Sequence, residues 1–193
     1  MPATASGHED SSSKTDEELA RKAATGHMPY FEEIVRRRRS GLVRFLASYF
    51  KEKADAEDVA QDAFVRAYRN LHRYNPNKPF LTWLYVIARR LALNHLRKVS
   101  RSKEGTLPEG TEEPSAPESH DPDFSSLWAS AGRLLSPDAY AALRLHYAEA
   151  RSVKEIAEVL GKSLTATKVL LFRARRRLAE NLNPMTFELI VKD

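Results

Sequence analysis

Apolar residues recur along most of this chain at spacings of three, four and seven, and nowhere do they alternate with polar residues over the length of a strand. Thr15-Asp16-Glu17-Glu18 is a capping-box pattern that opens a short helix ending near Gly26. Pro29 stands in the first turn of a longer helix whose Phe31, Ile34, Val35, Leu42, Phe45, Leu46 and Tyr49 share one stripe. Asp55 is placed to cap a third helix, in which Val59, Ala63, Ala67 and Leu71 fall four apart. Two prolines and two asparagines make Arg73 to Pro79 a turn, and a fourth, apolar-rich helix follows over 80–99. Further helices are predicted over about 124–135, from Ser136-Pro137 to about 149, and over 153–160 and 164–182. The fold class is all-α: two small helical domains joined by a flexible acidic linker, the second ending in a helix-turn-helix.

Local composition sets the boundaries. Residues 1–14 are polar and serine-rich, and a disordered tail is expected there. The first domain spans 15–100. Residues 101–122 carry Gly105, Pro108, Gly110, Pro114, Pro117 and Pro122 with almost nothing to bury, which predicts a linker. The second domain spans 123–182. The extension 183–193, with Phe187, Leu189, Ile190 and Val191, is more apolar than a loose tail requires, and reads either as a packing segment or as a regulator-binding one.

Charge sharpens this division. The chain holds 31 Lys+Arg against 26 Asp+Glu, and its pI near 9.4 points mildly to a polyanionic partner. Asp16 to Lys103 has 19 basic and 10 acidic residues, and Phe124 to Leu182 has 10 and 5. Glu104 to Asp123 between them has seven acidic residues and no Lys or Arg. Two basic blocks therefore flank an acidic strip. With no cysteine there is no disulfide, thiolate metal site or cysteine nucleophile. The six histidines are scattered and never at ligand spacing, so no metal and no cofactor is expected. No stretch approaches the roughly 18 apolar residues of a membrane span, and the N-terminus lacks a signal sequence's apolar core. These features predict a cytoplasmic protein without membrane insertion.

The segment from Ser152 to Arg175 carries the sharpest local signal. Ala157 allows two helices to approach closely, Gly161 suits a tight turn at positive φ, and Ser163 can cap the next helix. On that helix Leu164, Thr167, Leu171, Ala174 and Leu178 are predicted to face the core. Thr165, Val169, Arg173 and Arg176 lie opposite, where a major groove could receive them. An ordinary helical hairpin with a solvated arginine face is the plainer reading.

Two faces of the first domain also carry possible chemistry. Asp55, Asp58 and Asp62 share one side of the third helix, either as favourable charges near its N-terminus, with Asp62 able to pair with Arg66, or as a surface for a basic partner. Trp83, Arg90, Asn94 and Arg97 share one side of the fourth helix. An aromatic with cationic and amide groups suits stacking, phosphate contact and base-edge contact, though alone such a stripe is more often a solvated face.

The run AEDVAQDAFVRAYRNLHRYNPNKPFLTWLYVIARRLALNHLRK (56–98) resembles the second region of the extracytoplasmic-function sigma factors of bacterial RNA polymerase. The run LLSPDAYAALRLHYAEARSVKEIAEVLGKS, with the later RARRRL, resembles their fourth region. Two motifs in the right order, over roughly 16–100 and 124–182, are more specific than a helix-turn-helix alone. The resemblance implies a transcription initiation factor, not an enzyme, whose partners are core RNA polymerase, promoter DNA and an anti-sigma factor, and which is a monomer when free. It places core-polymerase binding on Asp55, Asp58, Gln61 and Asp62. It places recognition and opening of the −10 element on Tyr74, Asn75, Lys78, Trp83, Arg90, Asn94, Arg97 and Lys98. It places reading of the −35 duplex on Ser163, Thr165, Ala166, Lys168, Val169, Arg173 and Arg176. The acidic linker would lie in the polymerase's positively charged RNA path.

The chain departs from the family pattern in both readers. Arg90 stands where the family usually has asparagine and Asn94 where it has aspartate, which implies tighter phosphate contact and an atypical −10 preference. In the last helix Ala166, Leu170 and Phe172 replace a hydroxyl, an arginine and an imidazole, so Val169, Leu170 and Phe172 are expected to form an apolar strip. Such a strip suits thymine methyls, a protein contact, or a weakened −35 contact. The rival functional reading is a stand-alone helix-turn-helix regulator with a helical effector domain, which would bind duplex unaided. A nucleic-acid-processing enzyme would need a metal cluster or a nucleophile–base pair, and the sequence offers neither.

Overall fold

A computed structural model describes residues 13–103 and 122–181, which form helices and, among the described residues, no strand. The first domain comprises α1 (Asp16–Ala24), α2 (Met28–Leu46), α3 (Lys53–Arg69) and α4 (Phe80–Lys103). The second comprises α5 (Pro122–Leu134), α6 (Pro137–Leu143), a π-turn (Arg144–Ala148), α7 (Val153–Leu160) and α8 (Leu164–Asn181). The linker between 104 and 121 and the residues after 181 lie outside the described part, as does all of the expected N-terminal tail except Ser13 and Lys14. Lys14 is held in place, its carbonyl accepting from Arg37 Nη1 at 2.6 Å.

Several helix ends follow directly from the chain. Thr15 Oγ1 accepts from the Glu18 amide at 3.3 Å and Glu18 Oε2 accepts from the Thr15 amide at 2.8 Å, closing the capping box. Ser152 and Glu155 close a second box at the start of α7. Elsewhere the boundaries move. Helix α3 begins two residues before Asp55, after Glu52, so Asp55 is not a cap but a first-turn carboxylate favoured by the helix dipole. Helix α4 runs on to Lys103 and α5 begins at Pro122, which shortens the stretch expected as linker at both ends. The helix expected up to 149 is α only to Leu143. It then widens into the π-turn, where the buried Arg144 stacks 4.4 Å from the Trp128 ring, and Arg151 N closes the turn on the Leu145 carbonyl at 2.8 Å.

Phe45, Phe80, Leu84 and Tyr85 centre the packing of the first domain, and Leu143, Leu145, Ile156 and Leu160 that of the second. These groups are continuous, because α4 lies along α7 and the two domains share one apolar core. Around the seam, Asp138 Oδ1 accepts from Tyr49 Oη and Arg89 Nη2, both at 3.1 Å, and Asp138 Oδ2 lies 3.0 Å from Lys162 Nζ. Thr82 Oγ1 donates to Glu155 Oε1 at 3.0 Å, and Lys78 Nζ stands 3.7 Å from Glu158 Oε1. Glu149 lies over Gly41 so closely that a Cβ there would come 2.5 Å from its Oε1.

Burial alone would raise the Asp138 carboxyl, but hydrogen bonds from Lys162 and Arg89 hold it below the usual aspartate value. A lowered folded pKa means stability that is present above the unfolded value of roughly 3.9 and lost as pH falls through the folded one. Asp138→Asn is therefore expected to destabilise the chain at pH 7 and to lose that difference toward pH 2 to 3. Urea melts across this range check it; a constant difference would remove ionisation as the cause.

Candidate nucleic-acid interface

Three surfaces predicted from sequence can now be located. On α3, Asp58, Gln61 and Asp62 are exposed and Asp55 half-buried. Neither Asp58 nor Asp62 has an ion-pair partner among the described residues, so the Asp62–Arg66 pairing does not form. Gln61 also edges an apolar groove of about 590 Å³ between α2 and α3, walled by Met28, Phe31, Val35, Phe64 and Val65. Sequence reasoning did not find this groove, although Met28 and Val65 are apolar residues with no place on the core stripes.

The turn before α4 and the first turns of that helix form the second surface. Tyr74 is buried, with its ring edge-on to Phe80 at 5.3 Å and tilted against Trp83 at 5.3 Å; its hydroxyl donates to the Lys78 carbonyl. Burial, with the nearby Glu17, pushes that hydroxyl up to about 12, so it stays protonated and fixes the turn. Tyr74 thus holds the turn from within, while Asn75 and Lys78 remain exposed on it. Asn75 Oδ1 accepts from the Asn77 amide at 3.0 Å, which shapes the tip. Phe80 N donates to Glu17 Oε1 at 2.9 Å and ties the start of α4 to α1. The result is a cleft of about 260 Å³ lined by Arg73, Tyr74, Asn75, Lys78, Pro79 and Trp83, with Thr82 of α4 and Glu158 of α7 completing its wall. Further along α4, Arg90, Asn94, Arg97 and Lys98 are exposed, and Arg97 Nη1 donates to Asn94 Oδ1 at 3.3 Å.

The third surface is the outer side of α8. Gly161 takes the left-handed conformation (φ 59°) that lets α7 and α8 meet at a tight angle. Ser163 Oγ accepts from the Ala166 amide at 3.1 Å, and the Thr167 hydroxyl, buried on the core side, donates to the Ser163 carbonyl at 3.0 Å. Thr167, Leu171, Ala174 and Leu178 are buried, whereas Leu164, expected on that stripe, is exposed in the first turn. Thr165, Ala166, Lys168, Val169, Arg173 and Arg176 are all exposed. Leu170 is half-buried against the core and leaves the predicted apolar strip. That strip reduces to Val169 and Phe172, 41% and 63% exposed, between Lys168, Arg173 and Arg176.

Among the described residues no cluster of His, Cys, Asp or Glu has the arrangement of a metal site, and no helix is long and apolar enough to cross a membrane. Comparison with known families matches residues 34–102 to sigma-70 region 2 and residues 133–178 to sigma-70 region 4. The chain is similar to the ECF RNA polymerase sigma factor SigM of Bacillus subtilis, 32% identical over 76% of this chain and 91% of that protein. It is also similar to the RNA polymerase sigma factor CarQ of Myxococcus xanthus, 32% identical over 84% of this chain and 95% of that protein. Among solved structures it resembles CnrH in its complex with the cytosolic domain of CnrY, with a TM-score of 0.63 and 26% identity over 86% of this chain and 96% of that one.

Proposed function

The chain belongs to the ECF sigma factors of bacterial RNA polymerase, and on that premise we propose which of its surfaces perform each part of promoter recognition. It is a transcription initiation factor that binds core RNA polymerase and directs it to promoters; bond-making belongs to the polymerase. The observation that carries this is the ordered pair of region 2 and region 4 matches on one chain. A stand-alone regulator would have no use for the first.

The face of Asp58, Gln61 and Asp62, with Asp55 at its edge and the apolar groove beside it, docks on the polymerase. Asp58 and Asp62, exposed and without an ion-pair partner among the described residues, support this role. The cleft at Asn75, Lys78 and Trp83 takes an unstacked base of the −10 element: an aromatic ring beside a cation suits a base with its phosphate. Arg90, Asn94, Arg97 and Lys98 continue that path along α4. Arg90 and Asn94, in place of the family's usual residues, favour phosphate contact there and a −10 preference of this chain's own. Thr165, Lys168, Arg173 and Arg176 on α8, with Ser163 and Ala166 at its first turn, meet the −35 duplex.

The shrunken apolar strip favours one of its three readings. Val169 and Phe172 are set among cations on the groove-facing side, and the thymine methyl is the apolar group that a major groove displays. Replacing the −35 thymines by deoxyuridine is expected to weaken duplex binding about three- to tenfold in wild type and hardly at all in Val169→Ala/Phe172→Ala. Equal effects in both proteins would exclude methyl reading. CnrH was solved with the cytosolic domain of CnrY, and we propose that this chain is likewise restrained by an anti-sigma partner, acting in the compartment that holds polymerase and chromosome.

The test of the overall reading is capture of core polymerase by the purified chain, followed by run-off transcription on promoter fragments. Failure to bind core overturns it.

A further inference from the structure

We infer that α1 is a further DNA-contacting element: Arg21, together with Arg73 in the cleft wall, takes backbone phosphates of the single strand that runs on from the unstacked base toward the transcription start. This rests on the reading of the chain as a sigma factor that opens a −10 element.

Helix α1 lies ahead of the residues matched to sigma-70 region 2, which begin at 34, and none of the sites predicted from sequence falls on it. It is nevertheless built into the −10 turn. Glu17 Oε1 accepts from the Phe80 amide at 2.9 Å, at the start of α4, and α1 also packs on the short 3-10 turn Leu71–Arg73. Arg21 is four residues beyond Glu17, so it shares that face one helical turn further along. The Tyr74 hydroxyl lies within electrostatic reach of both: burial raises it, Glu17 raises it further, and Arg21 opposes the rise. Tyr74 lines the cleft, so Arg21 stands beside its wall.

The charges of α1 are unequally committed. Asp16 pairs with Arg38 at 2.8 Å, Glu17 holds the Phe80 amide, and Glu18 closes the capping box on Thr15. Lys22 is drawn onto the Tyr30 ring, 4.9 Å from its centroid. Arg21 is exposed and has no ion-pair partner among the described residues. Arg73 is exposed and without an ion pair in the same sense, and it lines the cleft. Lys78, at the tip of the turn, has Glu158 at 3.7 Å.

The turn has two arms. After it comes α4, whose Arg90, Asn94, Arg97 and Lys98 take one side of the DNA path. Before it come Leu71–Arg73 and the α1 they rest on. A strand whose base is held between the arms passes from one to the other, and its next phosphates need counter-charge on the second. Two guanidinium groups supply it, since their planar forks match phosphate oxygens. Contacts of this kind fix the strand without reading its sequence. The gain from α1 therefore depends on the length of the single strand and on its charge, not on its bases.

Holoenzyme made with the full chain is titrated with a −10 fork whose single strand either stops at the end of the element or runs a few nucleotides further toward the start. The extension is expected to tighten binding about tenfold more for wild type than for Arg21→Gln/Arg73→Gln. The wild-type salt dependence on the long fork should be steeper by about 1.4, at roughly 0.7 for each single-strand phosphate neutralised. Thermal melts of the two proteins should coincide, which separates the effect from a structural role of either arginine. A second arm uses wild type alone and needs no folded variant: neutral methylphosphonate linkages in the extension should abolish the gain. An equal gain in both proteins, or a wild-type gain that survives the neutral linkages, would overturn the inference. Wild type that forms no holoenzyme would overturn the sigma-factor reading itself, before any extension is compared.

Discussion

Trp83→Ala is expected to lower run-off transcription by about 5- to 150-fold while leaving affinity for −35 duplex unchanged. The magnitude follows from stacking a base on an aromatic ring, which alanine substitution puts at about 1–3 kcal/mol. The ring is half-buried, held at 5.3 Å from Tyr74 and 5.7 Å from Phe80, and it lines the cleft. Because that packing also serves the fold, Trp83→Tyr provides the second variant. It keeps an aromatic face and should retain most activity, and thermal melts confirm that each protein compared is folded. Undiminished initiation by a folded Trp83→Ala would exclude stacking at this position and move −10 recognition onto Arg90, Asn94 and Arg97.

The second large effect concerns the polymerase. Asp58→Lys/Asp62→Lys should weaken binding to core by at least about 100-fold, since charge reversal places like charges together at an interface and costs several kcal/mol. Both side chains are exposed and without ion-pair partners among the described residues, so stability should change by less than about 0.5 kcal/mol. Competition against wild type for limiting core polymerase measures the change, and duplex binding through α8 serves as the control. Core binding by the reversed variant equal to wild type would assign docking to another surface.

How far these sites could be read from sequence differs from element to element. The box Thr15/Glu18 and the glycine at 161 are local signals, and each was read from the chain; the box Ser152/Glu155 has the same one-turn spacing and was not. The exposed faces of α3, α4 and α8 followed from periodicity, because an apolar stripe fixes the opposite side as well. The errors arose where a residue's environment depends on distant packing. Tyr74, expected as a −10 contact, lines the cleft but is buried against Phe80 and Trp83, with its hydroxyl on the Lys78 carbonyl. Leu164 and Leu170 are the same residue type on one helix; Leu170 packs against the core and Leu164 is 47% exposed. Docking of the domains left no trace in spacing, since Tyr49 and Asp138 are 89 residues apart and each is unremarkable in its own segment.

Asp138 shows that the two sides of the seam do not depend on it equally. Its two cations come from different sides: Arg89 belongs to α4, whereas Lys162 belongs to the turn between α7 and α8. Removing the Arg89 guanidinium therefore leaves the carboxylate with Lys162, a counter-charge from its own domain. Removing the carboxylate takes from both cations the acceptor they share, and leaves Arg89 beside Arg90 on one helix. One acid thus offsets positive charge in two domains, and its loss is a larger disturbance than the loss of either base.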